Sequence, residues 1–161
     1  MLAICGFLWG FVGMFYGEST IAIDDKGRLA IPTSYREQLS AICANRLVVT
    51  YNPFERECLW IFPLPEWERM RDQVMQLSSF TTAHRDLQRK LVGAAARIEL
   101  DGSSRIVIPP TARQTAGLHK QAVLLGLGDK FELWSEAAQR ARLELPIVEQ
   151  DISDDMRQLQ F

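Results

Sequence analysis

Apolar and polar positions alternate in two separated stretches of this chain. In the first, Ile21 and Ile23 and then Leu29 and Ile31 alternate with small or polar residues, the period-2 signature of a strand. Asp24-Asp25-Lys26-Gly27 interrupts the alternation. These are turn residues, because Asp accepts local backbone hydrogen bonds and Gly takes positive φ without strain. The pattern predicts a β-hairpin, and it returns 77 residues later over Ile98–Ala116. At that constant offset Ile21 matches Ile98, Asp24 matches Asp101 and Arg28 matches Arg105. Ile31-Pro32 matches Ile108-Pro109, and Arg36 matches Arg113. Such self-similarity marks two copies of one unit.

Each copy continues in the same way. Pro32-Thr33-Ser34 predicts a helix start, with Ser34 and Glu37 at capping-box spacing. The helix after Pro109-Pro110-Thr111 is expected to stop at Gly117. A second hairpin is predicted from 46–51 with 58–62, and its counterpart from 121–126 with 130–134. Gly126-Leu127-Gly128 reads as hairpin geometry, since no helix of the dinucleotide-binding type follows. Between the copies, 65–77 and 83–92 read as helices. Trp67, Met70, Val74 and Leu77 lie on one face, as do Leu87 and Leu91. The segment beyond Pro146 is acidic, weakly periodic and expected to wander. The boundaries are therefore 1–13 for an extension, 14–64 for the first repeat, 65–95 for a helical connector, 96–143 for the second repeat and 144–161 for an acidic tail.

The extension is read from Met1–Gly17, which carries no charge. A signal peptide needs a basic start, and the first Lys or Arg is Lys26. A membrane span needs about 20 apolar residues, and this run is shorter and broken by four glycines. The favoured reading is a segment upstream of a start at Met14, with an interfacial segment or an export signal as alternatives.

Composition narrows the function. The 161 residues are 47% hydrophobic and 24% charged, with a net charge of −2. That is ordinary globular composition and excludes a uniformly basic coat for nucleic acid. The charge is nevertheless polarised. Residues 84–120 hold seven Lys or Arg against three Asp or Glu, and residues 121–161 hold four against eight. Cys5, Cys43 and Cys58 form no CxxC pair, and His84 and His119 have no partners at ligand spacing. No nucleophile-elbow, HExxH or phosphate-loop pattern occurs. No metal, cofactor, small-molecule substrate or enzyme activity is expected.

A unit of two hairpins and a helix is too small to bury a good core alone, so the two copies are expected to interleave and share one. Here the chain resembles the MraZ family of bacterial regulators and, more broadly, the AbrB-like swapped-hairpin DNA-binding fold. The residues that carry the likeness are GESTIAIDDKGRLAIPTSYREQL, LVVT, IFPLPEWE, DLQRKLVGAA, ELDGSSRIVIPP, RQTAGL and DKFELW. They span about residues 14–142. The resemblance implies an α+β fold of tandem, pseudo-twofold swapped-hairpin β-barrel units with flanking helices. It also implies a cytoplasmic, nucleoid-associated regulator of its own operon in the division and cell-wall gene cluster. Its partners would be double-stranded promoter DNA with direct G-rich repeats and further copies of the chain in a homo-oligomeric ring, with no membrane. On the family's DxxxR pattern, Arg28 and Arg105, with Lys26, become the candidate DNA contacts, and Asp24 and Asp101 their orienting or structural partners. Tyr16 stands where the family commonly has Arg. Ser104 stands at the position of Gly27 in the other copy. Ser135 and Gln139 replace an Asp and a Trp often seen after the last strand.

These residue types suit the task. A two-stranded ribbon fits the major groove, and Arg offers a bidentate fork to guanine O6 and N7. Asp four residues before that Arg is placed to orient it across a turn. Arg36 and Arg113 are equally open to packing or to phosphate contact, and the tryptophans read mainly as core or subunit interface. The alternative function is a protein-interaction module resembling a swapped-hairpin antitoxin, acting through the acidic tail.

Overall fold

The computed structural model describes residues 14–161; the expected extension, residues 1–13, lies outside the described residues. In the first copy the chain runs β1 (Phe15–Ala22), β2 (Arg28–Ala30), α1 (Thr33–Cys43), β3 (Arg46–Tyr51) and β4 (Cys58–Pro63). Helices α2 (Leu64–Met75) and α3 (Thr82–Gln88) and a π-turn (Arg89–Gly93) follow. The second copy is β5 (Ala96–Glu99), β6 (Arg105–Val107), α4 (Pro110–Thr115), β7 (Gln121–Gly128), β8 (Lys130–Ser135) and α5 (Glu136–Glu144).

The second hairpin of each copy forms as expected: β3 pairs with β4, and β7 with β8. The first does not pair with itself. The turn closes locally, with Asp24 N–H donating to the Arg28 carbonyl (3.0 Å) and Gly27 N–H to the Asp24 carbonyl (2.9 Å). Beyond it the strands part. β1 pairs with β7 and β5 with β3, while β2 pairs with β6. Every strand of the predicted opening hairpins thus finds its ladder in the other copy. The result is a six-stranded antiparallel sheet, β1-β7-β8-β4-β3-β5, and a two-stranded ribbon, β2-β6. Reading that order backwards exchanges the copies, which is the pseudo-twofold. The copies meet along four ladders: β1–β7 and β3–β5 at the two ends of the sheet, β4–β8 at its centre, and β2–β6 in the ribbon.

Burial explains the exchange. Leu29, Ile31, Ile106 and Ile108 are buried between the ribbon and the inner face of the sheet, against Leu47, Leu59, Leu124 and Phe131. A single copy would leave these side chains on a bare ribbon. At about 25 cal/mol per Å² of apolar surface, the shared core outweighs local pairing of two short strands. Phe15, Tyr35 and Phe131 close one end, with centroids 4.2–5.8 Å apart. Gly126 lets β1 approach, since a Cβ there would sit 2.5 Å from the Tyr16 nitrogen.

The outer face of the sheet is covered at two places. α2 lays Leu64 and Trp67 on Val48 and Phe62, and α5 covers Cys58, Val123 and Trp134. Burial pushes the Cys58 thiol far above its ordinary range. The helix expected over 83–92 ends earlier, in the π-turn. Buried Thr50 and Trp67 take the carbonyls this wider turn presents: Thr50 Oγ1 donates to Lys90 (2.7 Å) and Trp67 Nε1 to Leu91 (3.2 Å). The Ser34/Glu37 capping box does not form. Pro32 is the N-cap and no side chain caps α1, because the extended Pro32 backbone already sets the helix entry. α4 ends before Gly117 as expected, at φ +66°. α5 lies where the sequence pattern predicts no helix; the Ser135 hydroxyl caps it by accepting from Ala138 N–H, and Gln139 is buried beneath it. The tail is more ordered than expected, with a 3-10 turn (Glu149–Asp151) and α6 (Asp154–Arg157), yet its side chains stay almost wholly on the surface.

Candidate nucleic-acid interface

The two DxxxR segments fold into the same turn. Asp24 Oδ1 accepts from Lys26 N–H (3.0 Å) and Arg28 N–H (2.9 Å), while Oδ2 accepts from Arg28 Nε (2.6 Å). Asp101 Oδ1 accepts from Ser103 N–H (2.8 Å) and Arg105 N–H (2.9 Å), and Oδ2 from Arg105 Nε (3.1 Å). One carboxylate oxygen ties the turn, and the other clasps the arginine emerging from it. That is the physical content of the four-residue spacing. The Arg28 backbone and side-chain bonds hold the Asp24 carboxyl below the ordinary carboxylate range, and the Arg105 backbone bond does the same for Asp101.

Ser104 keeps the turn despite its side chain. It sits at φ 57°, beside 80° for Gly27, and Arg105 is clasped as Arg28 is. The Gly-to-Ser difference therefore shows as backbone strain and not as a changed turn.

The ribbon register places both arginines on one face. Arg28 is opposite Val107, and Ala30 opposite Arg105. Directly opposed residues share a face, so Arg28, Ala30, Arg105 and Val107 all point away from buried Leu29 and Ile106. The two arginines are diagonal neighbours, about 8 Å apart at Cα by strand geometry. Both side chains are roughly one-third exposed. With Nε held by Asp, the Nη pair of each guanidinium is the edge left for a ligand. Lys26 is exposed at the tip of the first turn, where the second copy has Ser103.

Arg36 and Arg113 do a different job. Their Nε atoms donate to the carbonyls of Ile31 (2.9 Å) and Ile108 (3.1 Å), bracing the strand exits. Tyr16 is 83% exposed on the outer face of β1 and gives the ribbon no charge. Trp67 and Trp134 are buried, and Trp60 and Trp134 both donate to Glu132. Among the described residues no group of three or more His, Cys, Asp or Glu could hold a metal ion. Among the same residues no helix is long and apolar enough to cross a membrane. Two members of the outer face, Ala30 and Val107, were not singled out from sequence; the period-2 alternation that buries Leu29 and Ile106 was the available signal.

The family model described as "MraZ protein, putative antitoxin-like" matches residues 14–90 and again 91–145. The "Transcriptional regulator MraZ" of Stenotrophomonas maltophilia (strain R551-3) is 52% identical over 148 residues, covering 92% of this chain and all of that protein. The protein of the same name from Xanthomonas campestris pv. campestris (strain 8004) is 50% identical over the same spans. That of Marinobacter nauticus is 43% identical over 145 residues, 90% of this chain and 97% of its own length.

Proposed function

The chain belongs to the MraZ family, and from that membership we propose that it is a DNA-binding transcriptional regulator that reads double-stranded promoter DNA with the β2–β6 ribbon. The observation that carries the reading is the pair of clasped arginines on one solvent face of a two-stranded ribbon. Relatives at about half identity are named transcriptional regulators, which places the chain in a family of regulators and not of enzymes.

In the mechanism, Asp24 and Asp101 hold each guanidinium by its Nε edge before DNA arrives. The rotamer entropy of a long side chain is then spent in folding and not in binding. The free Nη edge of Arg28 meets guanine O6 and N7 in the major groove, and Lys26 at the turn tip meets a phosphate. Arg105 makes the second base contact along the ribbon. The carboxylates also repel phosphate, which weakens loose, sequence-independent binding.

A subunit of net charge −2 holds DNA weakly by itself. A homo-oligomeric ring presenting several ribbons to several direct G-rich repeats raises the effective concentration of each successive contact. On this reading the regulated target is the division and cell-wall operon that encodes the chain, bound in the cytoplasm at the nucleoid, as membership of the family implies.

The test compares the purified protein with its Arg28→Ala variant on DNA from the chain's own upstream region, at one stated salt concentration with excess competitor DNA. Specific binding by the parent, lost in the variant at unchanged oligomer size, supports the reading. An assembled parent that shows no preference over competitor overturns it. Weight would then move to protein interaction through the tail, where Leu145, Ile147, Leu159 and Phe161 stand exposed.

A further inference from the structure

We propose that Val107 is a specificity-determining residue that contacts the C5-methyl group of a thymine next to the guanine taken by Arg28; this rests on the DNA-binding reading above. The ribbon buries every other large apolar side chain it has. Leu29 and Ile106 on its strands, and Ile31 and Ile108 just beyond them, have essentially no exposed surface. Val107 alone among them is on the outside, 48% exposed. It is also the residue directly opposite Arg28 in the β2–β6 register. Opposed side chains in an antiparallel pair have Cβ atoms about 4.5–5.5 Å apart, so the two stand side by side on the same face.

Successive bases of one strand are about 3.4 Å apart along the helix axis. A ribbon whose Arg28 reaches one guanine therefore sets the Val107 methyls over an adjacent base and not over the same one. The chemistry of the base edges then selects which base. In the major groove adenine shows an amino donor and a ring acceptor, cytosine an amino donor, and guanine two acceptors. Val107 answers none of these. Thymine offers a methyl group, the one apolar feature on that edge. Covering it with an isopropyl group removes apolar surface from water on both sides.

The pseudo-twofold supplies an internal comparison. The residue opposite Arg105 is Ala30, which reaches out by only a single methyl group. Lys26, too, is present only at the first turn. The Arg28–Val107 half of the ribbon is thus the better equipped of the two. It is built from both copies: the first supplies the arginine, and the second supplies its apolar neighbour. The second repeat takes part in recognition through Val107 whatever Arg105 does.

The experiment selects binding sites from a randomised duplex pool with the full-length protein, with Arg28→Ala and with Val107→Ser. The recovered site is then resynthesised with uracil in place of thymine, which removes only the methyl group. The expected result is a parent that selects thymine beside an Arg28-dependent guanine. It should bind the uracil form about fourfold more weakly per site, the equivalent of one buried methyl group. The Val107→Ser variant should keep the guanine preference, lose the thymine preference, and bind both forms within twofold. The thymine-to-uracil comparison on the parent needs no variant, so misfolding cannot mask the answer. A parent that selects a site but binds its thymine and uracil forms equally overturns this inference and leaves the DNA reading standing. An assembled parent that selects no site overturns both.

Discussion

The guanidinium of Arg113 lies against the backbone of Gly27, so close that a Cβ on Gly27 would fall 2.6 Å from Nε and 2.8 Å from the Ile108 carbonyl oxygen. Arg113 belongs to the second copy and Gly27 to the turn that presents Arg28. Ile108 N–H donates to the Gly27 carbonyl (2.9 Å), and in mirror fashion Ile31 N–H donates to the Ser104 carbonyl (3.0 Å). Each turn is thus bonded to the strand exit of the other copy.

Opposite substitutions at this matched pair are expected to act in opposite directions. Gly27→Ala adds a Cβ that meets backbone and forces a non-glycine residue to φ +80°, and should destabilise by about 1–3 kcal/mol. Ser104→Gly relieves a residue at φ 57° and should stabilise by up to about 1 kcal/mol. For a chain of this size the second change raises the melting temperature by about 2–4 °C. Thermal unfolding of both variants checks the pair; equal and same-signed shifts would refute the assignment.

Asp24→Asn keeps the shape of the side chain but removes the charge that clasps Arg28. Specific affinity should fall and competitor-DNA affinity should rise, so their ratio drops. Asp101→Asn should do the same more weakly, because its clasp is longer, 3.1 Å against 2.6 Å. Titrations on specific and random duplexes at matched salt measure the ratio, and an unchanged ratio in Asp24→Asn removes the orienting role.

The pH dependence follows from the same carboxylates. Both have folded values held below the ordinary range, so their contribution to stability is complete above about pH 4 and lost as pH falls through the lowered values. Stability of the turns should be flat from pH 5 to 8 and decline only in more acidic solution. Side-chain carboxyl resonances of the two aspartates, followed by NMR, should show midpoints below the free value. Midpoints at or above it would contradict the clasp.

Tyr35→Phe tests how β1 is tied to α1. The buried Tyr35 ring packs on Phe15 and Phe131, and its hydroxyl donates to the Tyr16 carbonyl at 2.6 Å. Removing the hydroxyl keeps the ring contacts and should cost about 1 kcal/mol. Denaturant unfolding with an unchanged slope would report that loss; no change in the midpoint would show the bond to be without net value.

The repeat, the second hairpins, the helix starts at Pro32 and Pro109 and the DxxxR turns were all legible in the chain. Each rests on interactions within a few residues: alternation, proline φ, and an Asp that bonds N–H groups two and four residues on. The resemblance carried by these motifs pointed to the family that the comparisons then showed. What the local pattern misassigned was the partner of each strand in the two opening hairpins. Residues 15–22 and 28–30 read as one hairpin, and their alternation is the same whichever strand they pair with. Only the burial of Leu29, Ile31, Ile106 and Ile108 in a single core, too large for one copy to enclose, sends β1 to β7 and β2 to β6. The candidate site divides in the same way. Which arginines are clasped is local in origin, because Asp and Arg lie four residues apart on one turn. That Arg28 and Arg105 share a face with Val107 comes from the fold, because that face exists only once β2 and β6, one strand from each copy, have paired.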